Sequence, residues 1–270
     1  MIETISVIIP MYNAKATIVE CVESIIAQDY DGELEIIVID DGSTDDCYRL
    51  VEKIQSPNNR SIKLLSQKNT GVSGARHFGI MSANHNLIAL CDADDCWLPH
   101  KISSQINAYH QLIAIDPYLL IGCTQGHDIH PVNAEQKDAF LSLRSNLMKW
   151  SPHPSTWLFN KELYRCVGCF DLKLTHAEDA DFISRLLLQG FKVFLLHESL
   201  VRVVGPDRQL WRSQGLSSNQ LSMVLGEIRI AKMAYRNGSE INFLELQFLK
   251  LFYISKLALR FLNLRRYFPG

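Results

Sequence analysis

The sequence predicts an α/β fold, a mostly parallel sheet flanked by helices, with a helical extension at its carboxyl end. Three observations predict it. Short apolar runs of strand composition alternate with segments of helical period through the first hundred residues. Three of those runs end in Pro10-Met11-Tyr12-Asn13, Asp40-Asp41-Gly42-Ser43 and Asp92-Ala93-Asp94-Asp95, turn-forming and acidic stretches that close a strand. Finally, 270 residues with 47% apolar content suit one large domain with a substantial core. Strand and helix in succession imply right-handed crossovers and parallel neighbours.

Taken in order, residues 5–9 read as a buried first strand that Pro10 ends. A helix over about 14–28 puts Ile18, Cys21, Val22, Ile25 and Ile26 on one face. Residues 35–39 form a second strand, after which Ser43 or Thr44 is placed to cap a helix running to about Ile54. A third strand at 62–66 leads to a helix that Gly71 opens and that reaches about Ala83. Residues 87–90, apolar between Asn86 and the acids, make the fourth strand.

The order then loosens. Helices are expected over 99–115 and 138–147, with strands near 118–124 and 155–159. Thr175-His176-Ala177-Glu178 has the spacing of a capping box for a helix to Gln189, which Gly190 stops before a strand at 191–196. A polar stretch at 208–219, containing Arg212, is either a lid or an ordinary surface loop. Two helices, 221–235 and 241–264, flank Asn237-Gly238.

Composition excludes several classes. A net charge of −2 and a pI near 6.5 argue against nucleic acid as a partner. Met1-Ile2-Glu3-Thr4 lacks the basic start of a signal peptide, and no apolar run reaches the ~18 residues of a membrane span. A cytoplasmic location is expected. The seven cysteines are an odd, scattered set, read as reduced thiols in core-like positions. Cys166 and Cys169 form a C-x-x-C, but no second pair completes a zinc site.

Candidate site residues gather at strand ends. A buried parallel strand delivers Asp92, Asp94 and Asp95 to the carboxyl edge of the sheet, where open α/β folds bind ligands. Aspartates there suit Mg²⁺ or Mn²⁺ holding a substrate's phosphates. The plainer reading is a solvated turn in which Asp95 caps the helix near Pro99. Tyr12 and Asp41 offer a flat ring and a carboxylate for a base, or merely a turn and a cap. Gly71, Gly74 and Arg76 could approach a diphosphate, or Arg76 could pair with an acid of the cluster. Glu178 belongs to the capping box. Asp179 is either a general base or a first-turn acid favoured by the helix dipole.

The last helix carries apolar side chains nearly all round, including Phe243, Leu244, Phe248, Leu251 and Ile254. Its basic residues are Lys250, Lys256, Arg260, Arg265 and Arg266, with no acid after Glu245. Either it packs on the domain or on a homodimer partner, or it attaches peripherally to an anionic membrane surface.

Together, residues 7–13, 37–45, 69–76 and 92–95 resemble family-2 glycosyltransferases of the GT-A fold. Val167-Gly168-Cys169-Phe170-Asp171, followed by Glu178-Asp179-Ala180-Asp181-Phe182 and Arg185-Leu186, is similar to that family's acceptor-side block. The resemblance covers roughly residues 5–200. It implies a GT-A domain over 1–205, with a nucleotide-sugar half at 1–98 and an acceptor half at 99–205, and leaves 206–270 as the lid and helical extension. It also implies that Pro10, Tyr12 and Asp41 surround the base of a nucleoside diphosphate sugar, and that Asp92 contacts the ribose. Asn13, Gly71, Arg76 and Ala93 complete the nucleotide side. Asp94 would hold a divalent metal, Mn²⁺ or Mg²⁺, and Asp179 would be the base of an inverting transfer. Glu178, Asp95 and Arg212 would support them. The donor expected is a UDP-sugar, and the acceptor a glycan or lipid-linked sugar of cell-surface polysaccharide or glycolipid assembly.

Two positions depart from the family's habit: Cys169, where a small residue is common, and Ala177, where glycine or a polar residue is common. The Gln-x-x-Arg-Trp of processive members is absent, since Gln209-Leu210-Trp211-Arg212 does not match it. Transfer of one sugar per encounter is expected. The alternatives are a silent nucleotide-sugar or glycan-binding module and a sugar-phosphate nucleotidyltransferase. The latter lacks its early glycine-rich loop here.

Overall fold

The computed structural model of the chain describes residues 2–57, 59–126, 137–148, 151–172, 174, 176–203, 220–238 and 241–261. Its strands are β1 (Ile5–Met11), β2 (Leu34–Asp40), β3 (Arg60–Ser66), β4 (Leu87–Leu90), β5 (Asp95–Trp97), β6 (Leu120–Gly126), β7 (Ala139–Phe140), β8 (Leu158–Asn160) and β9 (Val193–Val203). Its helices are α1 (Ile18–Ile26), α2 (Cys47–Val51), α3 (Val72–Ser82), α4 (Lys101–Leu112), α5 (Leu143–Met148), α6 (Lys161–Val167), α7 (Glu178–Leu188), α8 (Gln220–Arg236) and α9 (Phe243–Phe261).

One sheet holds every strand among the described residues, in the order β3-β2-β1-β4-β8-β6-β9-β5, with β7 on β9. The first four strands pair in parallel, as the βαβ succession requires. Thereafter the sheet is mixed: β8 runs antiparallel to β4 and β6, and β5 and β7 run antiparallel to β9. Strands β1 and β2 are apolar at nearly every position because both their faces are covered. Ile5, Val7, Ile9, Ile36 and Val38 face one core with α1 and α4, whereas Ile8, Ile37 and Ile39 face the other with α3, α6 and α7.

Several local expectations are corrected. β1 runs through Pro10 rather than ending there. Ile8 accepts from Cys91 N–H on the β4 side, and Pro10 points the same way two residues later, past the end of β4, so its missing N–H costs no ladder bond. Neither Ser43 nor Thr44 caps α2, which starts only at Cys47. Ser43 Oγ accepts from Asn13 N–H at 3.0 Å, and the Thr44 amide donates to Asn13 Oδ1 at 2.8 Å. Asp95 caps no helix: it begins β5 and is 2% exposed. The capping-box start also fails. α7 begins at Glu178 behind a left-handed Ala177 (φ 60°), and Glu178 turns to Arg76; Thr175 lies outside the described residues. Gly190 does stop α7, at φ +86°, with Phe191 N–H and Gly190 N–H returning to Leu186 and Leu187 carbonyls. α6 lies where no helix was expected. Cys166 and Cys169 are exposed rather than core residues, while the other five cysteines are buried and free.

Helices α8 and α9 form their own apolar cluster against Leu147 and Ala177, using Val224, Ile230, Leu246, Leu249 and Tyr253. The stretch 208–219, with Arg212, lies outside the described residues. Among those described, no helix is long and apolar enough to cross a membrane.

The contact of α3 with the sheet depends on Gly79, where an added Cβ would lie 2.3 Å from Ile8 Cγ2 and 3.1 Å from Ile39 Cγ1. Gly79→Ala is therefore expected to destabilise the fold by about 1–3 kcal/mol, from overpacking between rigid β-branched chains. Urea unfolding followed by circular dichroism measures it. An unchanged midpoint would show that α3 lifts freely.

Candidate active site

The strand order reverses between β1 and β4, and a crevice forms outside the carboxyl ends of β1, β2 and β4. It is a cavity of about 730 Å³. Its walls bring together Pro10, Tyr12, Asn13, Asp41, Gly71, Arg76, Asp92, Ala93, Asp94, Asp95, Glu178 and Asp179, residues drawn from five separate stretches of chain. Of the site residues singled out in the sequence, only Arg212 falls outside the described residues. His153, His176 and Met223 of α8 also line the cavity.

The nucleotide-side loops are tied to one another. Asp41 is buried at the end of β2. Its Oδ1 accepts from Gln67 Nε2 at 2.7 Å and the Thr70 amide at 2.9 Å, and its Oδ2 accepts from the Gly71 amide at 2.9 Å. That carboxylate fixes the turn into α3, and Gly71 itself sits at φ +81°, a conformation that suits glycine. Asn13, left-handed at φ 49°, staples the β1 turn to the β2 turn. Tyr12 is 54% exposed at the cavity mouth, with its ring free to be covered by a flat ligand.

Arg76 ties the deep wall together and is 2% exposed. Its Nη2 donates to both oxygens of Asp92, at 2.8 and 3.0 Å, and its Nη1 to Glu178 at 2.9 Å. Both ends of the guanidinium are thus committed to carboxylates, the salt-bridge role left open in the sequence. Burial works against the guanidinium charge, but Asp92 and Glu178 outweigh it and raise its pKa. Burial likewise opposes ionisation of Asp92, and Arg76 with His153 overcomes it, holding that carboxyl below the usual range.

Two other acids are held the opposite way. Burial pushes Asp95 up to about 7, with Asp94 and Asp92 adding to the rise and His153 opposing it. Burial and then the neighbouring Glu178 push Asp179 up to about 6, against His153, the Ala180 amide and Arg76. Acids of one cavity with pKa values driven apart are the usual mark of an acid–base site.

His153 is the functional candidate that sequence reasoning missed. Its Nε2 lies 3.7 Å from Asp92 and its Nδ1 3.5 Å from Asp95. Antiparallel pairing of β4 with β8 sets Ala89 opposite Leu158. Carried three residues on, that register puts Asp92 beside Ser155, whose Oγ accepts the Asp92 amide at 2.8 Å, and so brings His153, two residues earlier, to the acid loop. The one local signal, His153-Pro154-Ser155 ahead of an apolar pair, has no meaning until the strands are paired. Asp92, Asp95 and His153 offer ligand atoms within 4.8 Å of one another, a set able to hold a cation. This grouping, alone of its kind among the described residues, does not include Asp94, which lines the same cavity. Two carboxylates fit Mg²⁺ or Mn²⁺, and an imidazole nitrogen inclines the set toward Mn²⁺, since Mg²⁺ keeps to oxygen.

The family model described as "Glycosyl transferase family 2" matches residues 6–170. Escherichia coli UDP-Glc:alpha-D-GlcNAc-diphosphoundecaprenol beta-1,3-glucosyltransferase WfaP is 41% identical over 105 residues, 39% of this chain and 41% of that protein. Glycosyltransferase GlyG of Streptococcus pneumoniae is 36% identical over 129 residues, 47% of this chain and 41% of GlyG. The matched segment thus spans under half of these relatives. In structure the chain is similar to residues 1–349 of S. aureus TarS in complex with UDP-GlcNAc, with a TM-score of 0.69 at 20% identity, covering 96% of this chain and 73% of that one. It is also similar to a mannosyltransferase from Pyrobaculum calidifontis in complex with GDP-Man and Mn²⁺, with a TM-score of 0.68 at 19% identity, covering all of this chain and 77% of that one.

Proposed function

The chain belongs to glycosyl transferase family 2, and from that premise we propose that it moves one sugar from a nucleoside diphosphate sugar to a hydroxyl of a glycan or lipid-linked acceptor, with inversion. The observation that carries the proposal is the meeting of Tyr12, Asp41, Asp94 and Asp179 on one cavity of about 730 Å³ at the switch point of the sheet. The nucleotide base lies against Tyr12 beside Asp41, whose carboxylate keeps lone pairs beyond the bonds it makes to the Gly71 turn. The donor is a UDP-sugar, and the reaction belongs to cell-surface polysaccharide or glycolipid assembly.

Asp179 takes the proton of the acceptor hydroxyl as that oxygen attacks the anomeric carbon from the face opposite the departing nucleoside diphosphate. A carboxyl with a pKa of about 6 is mostly ionised at neutral pH, yet a stronger base than an exposed aspartate. Arg76 holds Asp92 and Glu178 in place and keeps α7 registered against the acid loop, fixing Asp179 relative to the donor. Asp94, with the Asp92–Asp95–His153 cluster lining the same cavity, would hold the divalent metal, which would supply positive charge against the leaving diphosphate.

Calorimetric titration of UDP and GDP, with Mn²⁺ and then with chelator, tests this reading. One nucleotide is expected to bind with metal and to weaken at least about tenfold with chelator, and both Asp94→Asn and His153→Ala are expected to weaken it similarly. Binding of neither nucleotide under any metal condition would sink the donor assignment. Equal binding with and without metal would remove the metal.

A further inference from the structure

Helix α9 is apolar on its outward face as well as on the face it buries. Leu246, Leu249 and Tyr253 form its buried row, and Tyr253 Oη donates to the Leu147 carbonyl on α5. At 100° per residue the opposite row is Leu244, Phe248 and Leu251, flanked by Ile254. That outward row should be polar. Instead Leu244 is 77% exposed, Leu251 67% and Phe248 54%, and nothing among the described residues covers them. Contiguous exposed apolar surface of this kind marks an interaction site.

Charge decides what covers it. The 25 residues after Glu245 carry five basic side chains and no acidic one. A second copy would carry the same excess of basic charge, whereas an anionic surface would be drawn to it. Because α9 over its described residues is not long and apolar enough to cross a membrane, it would lie in the interface plane with its apolar row inserted.

We propose that the outward row of α9, Leu244, Phe248 and Leu251, docks the protein on an anionic lipid surface. The lipid is recognised by its apolar interior and its headgroup charge rather than by one headgroup. Met223 of α8 lines the catalytic cavity, and α8 packs on the buried row of α9. The docking surface is separate from the nucleotide-binding walls, and the test reads it without turnover.

Flotation of the full chain with vesicles of phosphatidylcholine, alone or mixed with phosphatidylglycerol, measures the association. Binding is expected to the mixed vesicles, weaker by about tenfold on pure phosphatidylcholine or on raising salt from about 0.1 to about 0.5 M. Leu244→Glu with Leu251→Glu should lower it by at least about tenfold while UDP titration is unchanged. Should that double variant fail to fold, Leu251→Trp reads the same contact, its emission shifting to the blue as mixed vesicles are added. Failure of the unmodified chain to float with mixed vesicles overturns the proposal. So does a dimer in light scattering that the double variant abolishes, because a second copy would then own the face. UDP binding is read separately, so loss of either result leaves the other standing.

Discussion

Asp179→Asn is expected to lower kcat by about 10²–10⁴-fold while UDP titration is unchanged, because it removes a proton acceptor without removing a donor contact. The pH dependence gives a second handle. A base must be ionised, so kcat of the unmodified enzyme should rise through pH 6, about tenfold per unit on the acid side, and level above it. The residual rate of the variant should lack that limb. Stability runs the other way. The folded-state pKa of Asp179 is raised, so its contribution is fully present below the unfolded value and is lost as pH climbs through about 6. Asp179→Asn should therefore melt above the unmodified protein at pH 8 and near it at pH 4. A variant that keeps full turnover would displace Asp179 from the proposed chemistry.

Arg76→Leu should produce the largest loss of stability, about 3–5 kcal/mol, because it strands Asp92 and Glu178 without their shared counter-charge. For a chain of this size that is a fall in Tm on the order of 6–20 °C by calorimetry. Arg76→Lys should recover little, since one ammonium cannot bond Asp92 through two oxygens and Glu178 through a separate nitrogen. The sign with pH is set by Asp92, whose pKa is lowered in the folded state. Its stabilisation is present above the unfolded carboxyl value and disappears as pH falls through the folded one, so the gap between Arg76→Leu and the unmodified protein should be widest at neutral pH and should close in acid. A constant gap from pH 3 to pH 8 would mean that the guanidinium acts by packing on Phe170 rather than by charge.

These two residues also show why Ala177 suits its position poorly and is nonetheless there. At φ 60° it makes the bend that turns Glu178 toward Arg76 and Asp179 toward the cavity, where glycine would adopt the same backbone without strain. Its methyl is buried in the α8–α9 cluster, which gives the side chain a place.

The sequence alone determined β1 to β4, the helices between them and the acidic ends of the strands. A strand covered on both faces must be an unbroken apolar run, so Val7-Ile8-Ile9 and Ile36-Ile37-Val38-Ile39 declare themselves locally. It also placed Asp92, Asp94 and Asp95 at the edge of the sheet, because an aspartate run directly behind such a strand can only emerge at its carboxyl end. Pairing was beyond it. Which strand lies beside β4, and in which direction, depends on contacts between segments some seventy residues apart, and no local period encodes them. Only the tertiary structure could place His153 against Asp92 and Asp95, set Arg76 between Asp92 and a glutamate 102 residues further along the chain, or take Asp95 from a helix cap into β5. The capping box failed for the same reason: buried Arg76 attracts the Glu178 carboxylate more strongly than one backbone N–H of its own helix could, since a charge-assisted pair away from water is worth more than a cap at the surface.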